Sequence, residues 1–357
     1  MNASLEILAS MLPEGADAAL IVSETNRRYF TGFASDAGYL LVTRHQSFLL
    51  VDSRYTEAAQ RAVPDSEVIE FRKLSETLKE LLSRMEIQCV ALEGSGFTLN
   101  EAHRIEAMLG DVETLKTSAL DEAIGKLRII KTTAEVEKIM RAQRITEQAL
   151  TELLPMVKEG VMEKDLALEL EYKIRKLGAD DISFDLITIA GKNTSMPHGV
   201  PGMYRIRKGD FITFDVGALY DGYHSDMTRT YAFGEVSEKQ KRVYRTVMEA
   251  QQIGLDAVRS GVRAGEVDDA ARSYIDQAGF SGCFGHSTGH GVGLDIHELP
   301  MVAAGNETVL QSGMVLTVEP GIYLKGEFGV RIEDTVIVTT DGMINLCTLP
   351  KELIVLG

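Results

Sequence analysis

"GDFITFDVGALYDGYHSDMTRTYAFG", residues 209–234, is the stretch from which the fold can be read. Ile212, Phe214 and Val216 alternate with Thr213, Asp215 and Gly217, the period of a half-buried strand. Asp221-Gly222 is a strong two-residue hairpin signal. With that turn as the fixed point, Tyr220 faces Tyr223 and Asp215 faces Thr228. Asp226 then lies one diagonal step from Asp215 on the same sheet face, with Cβ atoms roughly 7 Å apart. At that separation two carboxylates do not clash, and ions fit between them.

The same anomaly recurs downstream. In "VLTVEPGIY" (315–323) Glu319 ends an apolar strand. In "GVRIEDTVIV" (329–338) Arg331 and Glu333 share one face, and Ile332, Asp334 and Val336 share the other. Acidic groups this deep in apolar β runs are costly unless paired. One alone reads as a rim salt bridge. Four that converge would raise one another's pKa, and bound cations are the natural remedy.

"FGHSTGHGVGLDIHE" (284–298) gathers three of the chain's seven histidines, His286, His290 and His297. Read as a strand, its "GHSTGHG" puts His286, Thr288 and His290 on one face, with glycines permitting close approach. The helical zinc motif needs His-Glu-x-x-His, and Ser-Thr-Gly between His286 and His290 defeats it. One imidazole with several carboxylates is an oxygen-rich donor set that suits Mn²⁺ or Co²⁺, with Zn²⁺ less favoured. His198 stands in a Pro/Gly-bracketed loop, "SMPHGVPG" (195–202), while His45, His103 and His224 have no such context.

A weak internal repeat surrounds these segments. "GVMEKDLALELEYKIRKLGA" (160–179) aligns without gaps on "GVRAGEVDDAARSYIDQAGF" (261–280), matching Gly160 to Gly261, Asp165 to Glu266, Ile174 to Ile275 and Gly178 to Gly279. Each copy reads as an acidic-capped helix stopped by glycine and followed by extended chain. Two half-domains related by a pseudo-two-fold axis, with a site at their junction, follow from this.

The first third reads differently. "AALIVS" (18–23), "GYLLVT" (38–43), "SFLLVDS" (47–53) and "CVALEG" (89–94) read as strands; "SETLKELLSRME" (75–86) and "LNEAHRIEAMLG" (99–110) read as helices. A helical connector over about 121–158 opens the second domain. The expected division is an α/β N-terminal domain over 1–122 and an α+β domain over 123–357.

Composition bounds the function. The chain has 357 residues, 45% hydrophobic and 25% charged, and a formal net charge of −16. That charge argues against nucleic acid or an anionic membrane as partner. Cys89, Cys283 and Cys347 lack metal or redox spacing and read as reduced thiols, and "MNASLEILASMLPEG" reads as an amphipathic helix rather than a leader. The expected location is cytoplasmic.

Taken together, "PHGVP", Asp215-x10-Asp226, "GHGVGLDIHE", "EPGIY" and "VRIED" resemble the pita-bread metallopeptidases, which comprise methionine aminopeptidases, Xaa-Pro aminopeptidases and Xaa-Pro dipeptidases (prolidases). The motifs are in family order over about 126–357. The preceding α/β domain is similar to the creatinase-like N-terminal domain of the proline-specific branch, which demotes methionine aminopeptidases. The resemblance implies five ligands for two divalent ions: Asp215 on one, His290 and Glu319 on the other, Asp226 and Glu333 bridging. It implies substrate or transition-state contacts for His198, His286 and His297, a proton shuttle for Glu319, and support of the site by Arg331. It further implies a metallo-exopeptidase for peptides with proline at the second position, and a homodimer. Some dipeptidases of this family place an arginine shortly after the His-Glu pair, where "HELPM" has Met301. The expected activity is therefore Xaa-Pro aminopeptidase, with Xaa-Pro dipeptidase as the alternative. A creatinase-like or non-catalytic relative is the rival class, and such relatives lose ligand positions that are all present here.

Overall fold

Strands that are unbroken apolar runs need cover on both faces, and the computed structural model, which describes residues 1–357, supplies it in the first of two compact units, Met1–Arg128 and Ile129–Gly357. Strands β1 (Ala18–Ile21), β2 (Tyr39–Thr43), β3 (Ser47–Val51), β4 (Glu67–Glu70), β5 (Cys89–Leu92) and β6 (Glu113–Leu115) form one sheet in the order β4-β3-β2-β1-β5-β6. Ala19, Ile21, Leu40, Val42 and Leu49 face a core shared with α1 (Ala3–Ser10) and α6 (Ala119–Arg128). The alternate residues Ala18, Leu20, Leu41, Phe48 and Val90 face α4 (Leu74–Arg84) and α5 (Leu99–Leu109). Helices α2 (Glu24–Thr31) and α3 (Thr56–Ala62) complete this unit.

The expected connector over 121–158 is not one helix. Residues 129–132 interrupt it between α6 and α7 (Thr133–Leu153). Thr132 caps α7 in a capping box with Glu135, Ile130 pairs with Met314, and buried Lys131 meets Glu298 at 2.6 Å. Leu120, Ala123 and Ile124 lie in the core of the first unit, so α6 belongs there whole and is not divided after residue 122.

The second unit is built twice over. In its first half α7 and α8 (Glu163–Lys176) cover a sheet that contains β8 (Ile187–Ala190), β9 (Asp210–Val216) and β12 (Met227–Phe233); β7 (Asp181–Ile182), β10 (Ala218–Tyr220) and β11 (Tyr223–His224) form a small separate sheet. In its second half α9 (Glu238–Ala257) and α10 (Ala264–Ile275) pack with a sheet in the order β14-β13-β15-β18-β19. Those strands are β13 (Gly289–Gly291), β14 (Glu298–Val302), β15 (Val315–Val318), β18 (Asp334–Val338) and β19 (Met343–Asn345). A hairpin of β16 (Gly321–Leu324) and β17 (Phe328–Arg331) precedes β18, and β20 (Val355–Leu356) edges the first sheet beside β12.

The aligned repeat has the same local structure in both copies. Gly160 donates to the Ile206 carbonyl at 2.8 Å, and Gly261 to that of Leu310 at 2.9 Å. Gly160 and Gly261 have φ of 84° and 90°; Gly178 and Gly279 have 99° and 89°. These left-handed positions are why glycine recurs in register at both ends of the helix.

The hairpin within residues 209–234 has the expected register: Thr228 opposite Asp215 and Tyr223 opposite Tyr220. Asp221 and Gly222 both have positive φ, 47° and 80°, as a type I′ turn demands. No helix is long and apolar enough to cross a membrane.

Candidate active site

Each half delivers its carboxylates from equivalent places. Asp215 lies on β9 and Glu319 just beyond β15; Asp226 immediately precedes β12 and Glu333 immediately precedes β18. With His290 on β13, all five line one cavity of about 490 Å³. His198, His286, His297 and Arg331 line the same cavity, as do the apolar side chains Phe184, Ile187, Ile296 and Met301.

Burial governs the electrostatics. It pushes the carboxyl of Asp226 well above the usual range, reinforced by Glu333, Asp215 and Glu319. Glu333 is raised well above its ordinary value by burial, then by Glu319 and Asp215. Burial pushes Glu319 up to about 8. Asp215 is held by Arg331, whose Nη2 donates to its Oδ2 at 2.5 Å. Arg331 also donates to Thr228 Oγ1 at 3.2 Å, and that hydroxyl donates to Glu333 at 2.7 Å.

The histidines divide into two kinds. Burial lowers His290 to about 4, so its ring is neutral. Its Nδ1 lies 3.1 Å from the Gly291 carbonyl, which only accepts, so the proton sits there and Nε2 is bare. That bare nitrogen points at Glu319 Oε1 (3.4 Å) and Asp226 Oδ2 (3.6 Å). His286 is likewise lowered to about 4 by burial. Both its nitrogens are engaged within the chain: Nδ1 on the Ser287 carbonyl and Nε2 on the Tyr323 hydroxyl, each at 2.8 Å. His198 and His297 are exposed, with the His297 ring 4.3 Å from that of His290.

The arrangement fits a cation. Asp226 Oδ1 is buried with no hydrogen-bond partner. Donor atoms of Asp226, His290 and Glu333 lie within 4.8 Å of one another. Several carboxylates, an unprotonated imidazole nitrogen and an orphaned oxygen facing one space form a hard donor set lacking only its positive charge.

Two sequence readings need correction. Strand β13 spans only Gly289–Gly291, so the alternation does not reach back to Thr288. The Thr288 side chain turns away from the cavity and bonds Asp268 at 2.8 Å. The glycines do permit close approach: a Cβ on Gly289 would lie 2.0 Å from the Thr317 carbonyl oxygen. The second correction is an omission. Tyr323, quoted within "EPGIY", joins His286 to Arg331, accepting from Arg331 Nη1 at 2.9 Å, and its signal was only its place beside Glu319.

Residues 137–340 match metallopeptidase family M24, and residues 6–130 match the creatinase/prolidase N-terminal domain. The chain belongs to family M24. It is 39% identical to a solved Xaa-Pro dipeptidase from Bacillus anthracis, covering 99% of each chain with a TM-score of 0.95. It is 37% identical to an Xaa-Pro dipeptidase of Pyrococcus horikoshii, over 98% of this chain and 97% of the relative. A solved X-Pro aminopeptidase from Thermotoga maritima is 36% identical, covering 96% of this chain and 98% of that one, with a TM-score of 0.91. The M24 chain thus has the pita-bread domain behind a creatinase-like N-terminal domain, and the expectation of a metallo-exopeptidase holds.

Proposed function

We propose that this M24 enzyme is an Xaa-Pro dipeptidase, which hydrolyses the bond preceding proline in dipeptides. The relatives named Xaa-Pro dipeptidase, matched end to end at 36–39% identity, support this reading over the aminopeptidase that Met301 suggested. The observation that carries the chemistry is the orphaned Asp226 Oδ1 beside the bare Nε2 of His290. Asp215, Asp226, His290, Glu319 and Glu333 would hold two divalent ions, Mn²⁺ or Co²⁺ by donor chemistry, with Zn²⁺ less favoured. Bound there, such ions lower the pKa of a water and polarise the scissile carbonyl.

The chain's own groups do the rest. Glu319, ionised beside the bound cations, takes the proton of the attacking water and returns it to the departing proline nitrogen. An Xaa-Pro amide has no N–H, so a site that grips the carbonyl side loses nothing with this substrate. Phe184, Ile187 and Ile296 give the substrate an apolar wall. His198 and His297, exposed in the cavity, reach the carbonyl oxygen and the leaving nitrogen. His286 acts through Tyr323, keeping Arg331 aligned on Asp215.

One observation favours the aminopeptidase as a second reading. Arg331 is the only lysine or arginine on the cavity wall, and it is committed to Asp215 and Tyr323. A dipeptide's carboxylate finds no free cation there. Assaying Xaa-Pro dipeptides, Xaa-Pro-Yaa tripeptides and Met-initiated peptides with Mn²⁺, Co²⁺ and Zn²⁺ decides the matter. A dipeptidase cleaves the first set far faster than the second. Equal kcat/KM on tripeptides makes it an aminopeptidase, and cleavage of neither proline set overturns both.

A further inference from the structure

Helix α10 carries an ion pair that the proposed reaction does not use. Asp268 is fully buried, and Arg272 reaches its two oxygens at 2.7 and 2.8 Å. The remaining hydrogen bonds of this pair leave the helix. Asp268 Oδ1 accepts from the amide of Thr288 at 3.1 Å and from its hydroxyl at 2.8 Å. Arg272 donates to the carbonyls of Phe284 (2.8 Å) and His286 (2.7 Å). Its guanidinium lies 4.2 Å from the centroid of the Phe284 ring, which meets His286 edge-on at 4.9 Å.

The segment so held has little order of its own. Residues 281–288 belong to no helix or strand and lead directly into His290 on β13. Thr288 also passes the constraint on, because its carbonyl accepts the Glu319 amide at 2.7 Å. The other half has a parallel device. Buried Glu163, on the repeat helix α8, accepts from the amides of Ala190 (2.7 Å) and Gly202 (3.0 Å), bracketing the loop that carries His198.

We propose that Asp268 and Arg272 are positioning residues for the peptidase reaction: they hold the 284–290 segment so that His286, His290 and Glu319 converge on the cavity. A planar fork is required, since one guanidinium serves a carboxylate and two carbonyls at once. The inference rests on reading the cavity as the catalytic site.

Two variants test it. Arg272→Lys keeps the charge beside Asp268 but cannot reach all three acceptors. The double variant Asp268→Leu/Arg272→Met removes both charges together, so no buried ion is left unpaired, but it frees the Thr288 amide and hydroxyl and the Phe284 and His286 carbonyls. Activity per folded molecule, Mn²⁺ affinity by calorimetry and the melting temperature of the chelated protein are measured together. Positioning predicts that both variants lose kcat on an Xaa-Pro dipeptide by tenfold or more, with KM within threefold, and bind Mn²⁺ at least tenfold more weakly. The orphaned Thr288 donors lower the melting temperature of the double variant, so its kcat and Mn²⁺ affinity are measured well below that temperature, on folded protein. Wild-type kcat and Mn²⁺ affinity in either variant, whatever its melting temperature, overturn the proposal. If the native chain binds Mn²⁺ but cleaves no Xaa-Pro peptide, the proposed function fails alone, and the Mn²⁺ affinity of Arg272→Lys still decides the positioning role.

Discussion

Removing metal from the protein and following its thermal unfolding between pH 6.5 and 8 probes the buried carboxylates directly. Glu319 is raised from 4.5 to about 8 by burial, and Asp226 and Glu333 are raised well above their ordinary values. In that window the native chain holds protons that the unfolded chain has lost, so stability falls as pH rises. Below pH 6.5 the sign is mixed, because His286 and His290, lowered to about 4, are neutral when folded and charged when unfolded. Above 6.5 the unfolded imidazoles, His224 included, finish titrating by about pH 7.5 and offset the carboxylates by about 0.4 kcal/mol each; beyond that the carboxylates act alone. At about 1.4 kcal/mol per proton per pH unit, Glu319 by itself removes about 2 kcal/mol between pH 6.5 and 8. For a unit of this size that is a drop of about 4–8 °C in melting temperature. Glu319→Gln, neutral throughout, flattens the slope by one proton. With Mn²⁺ in excess the dependence reverses, because ion and protons compete for the same oxygens. A chelated melting temperature that stays level or climbs from pH 6.5 to 8 would refute the reasoning.

Other outcomes follow from the same geometry. Asp226→Ala and Glu333→Ala each abolish metal-dependent hydrolysis, and retained Xaa-Pro cleavage by either, measured with added Mn²⁺, removes that residue from the ligand set. His198→Ala lowers kcat by orders of magnitude while metal content by atomic absorption stays that of the native chain; loss of metal instead makes His198 a ligand. Arg229→Met removes the nearer of two cations from buried Asp334, leaving Lys351 at 3.1 Å, and frees the Glu333 and Leu349 carbonyls; urea unfolding registers a loss of about 2–3 kcal/mol.

The sequence was most legible where local geometry over-determines the answer. The Asp221-Gly222 turn pins the register of β9 and β12, and with it the face of Asp215 and Asp226. The repeat was visible because four glycines need left-handed backbone at matching places. What stayed hidden depends on partners distant in sequence. Asp268 and Arg272 look like an ordinary i,i+4 helix pair until Thr288, Phe284 and His286 fold behind them. Strand β4 is half-exposed and flanked by charge, so "EVIE" shows no apolar run, and α2 is short and polar with its start marked only by Ser23. The break before α7 is marked locally by the Thr132–Glu135 capping box and was legible, whereas the pairing of Lys131 with Glu298 was not. His286 was legible as a site residue, but not as one whose two nitrogens are already taken.

The central claim is that five side chains spread from Asp215 to Glu333 together hold a pair of divalent ions. Calorimetric titration of the chelated protein with Mn²⁺ at pH 7, repeated in buffers of different ionisation enthalpy, measures both stoichiometry and protons released. Two ions per chain with net proton release is the predicted result. No saturable binding, or binding undisturbed by Asp226→Ala, would contradict it.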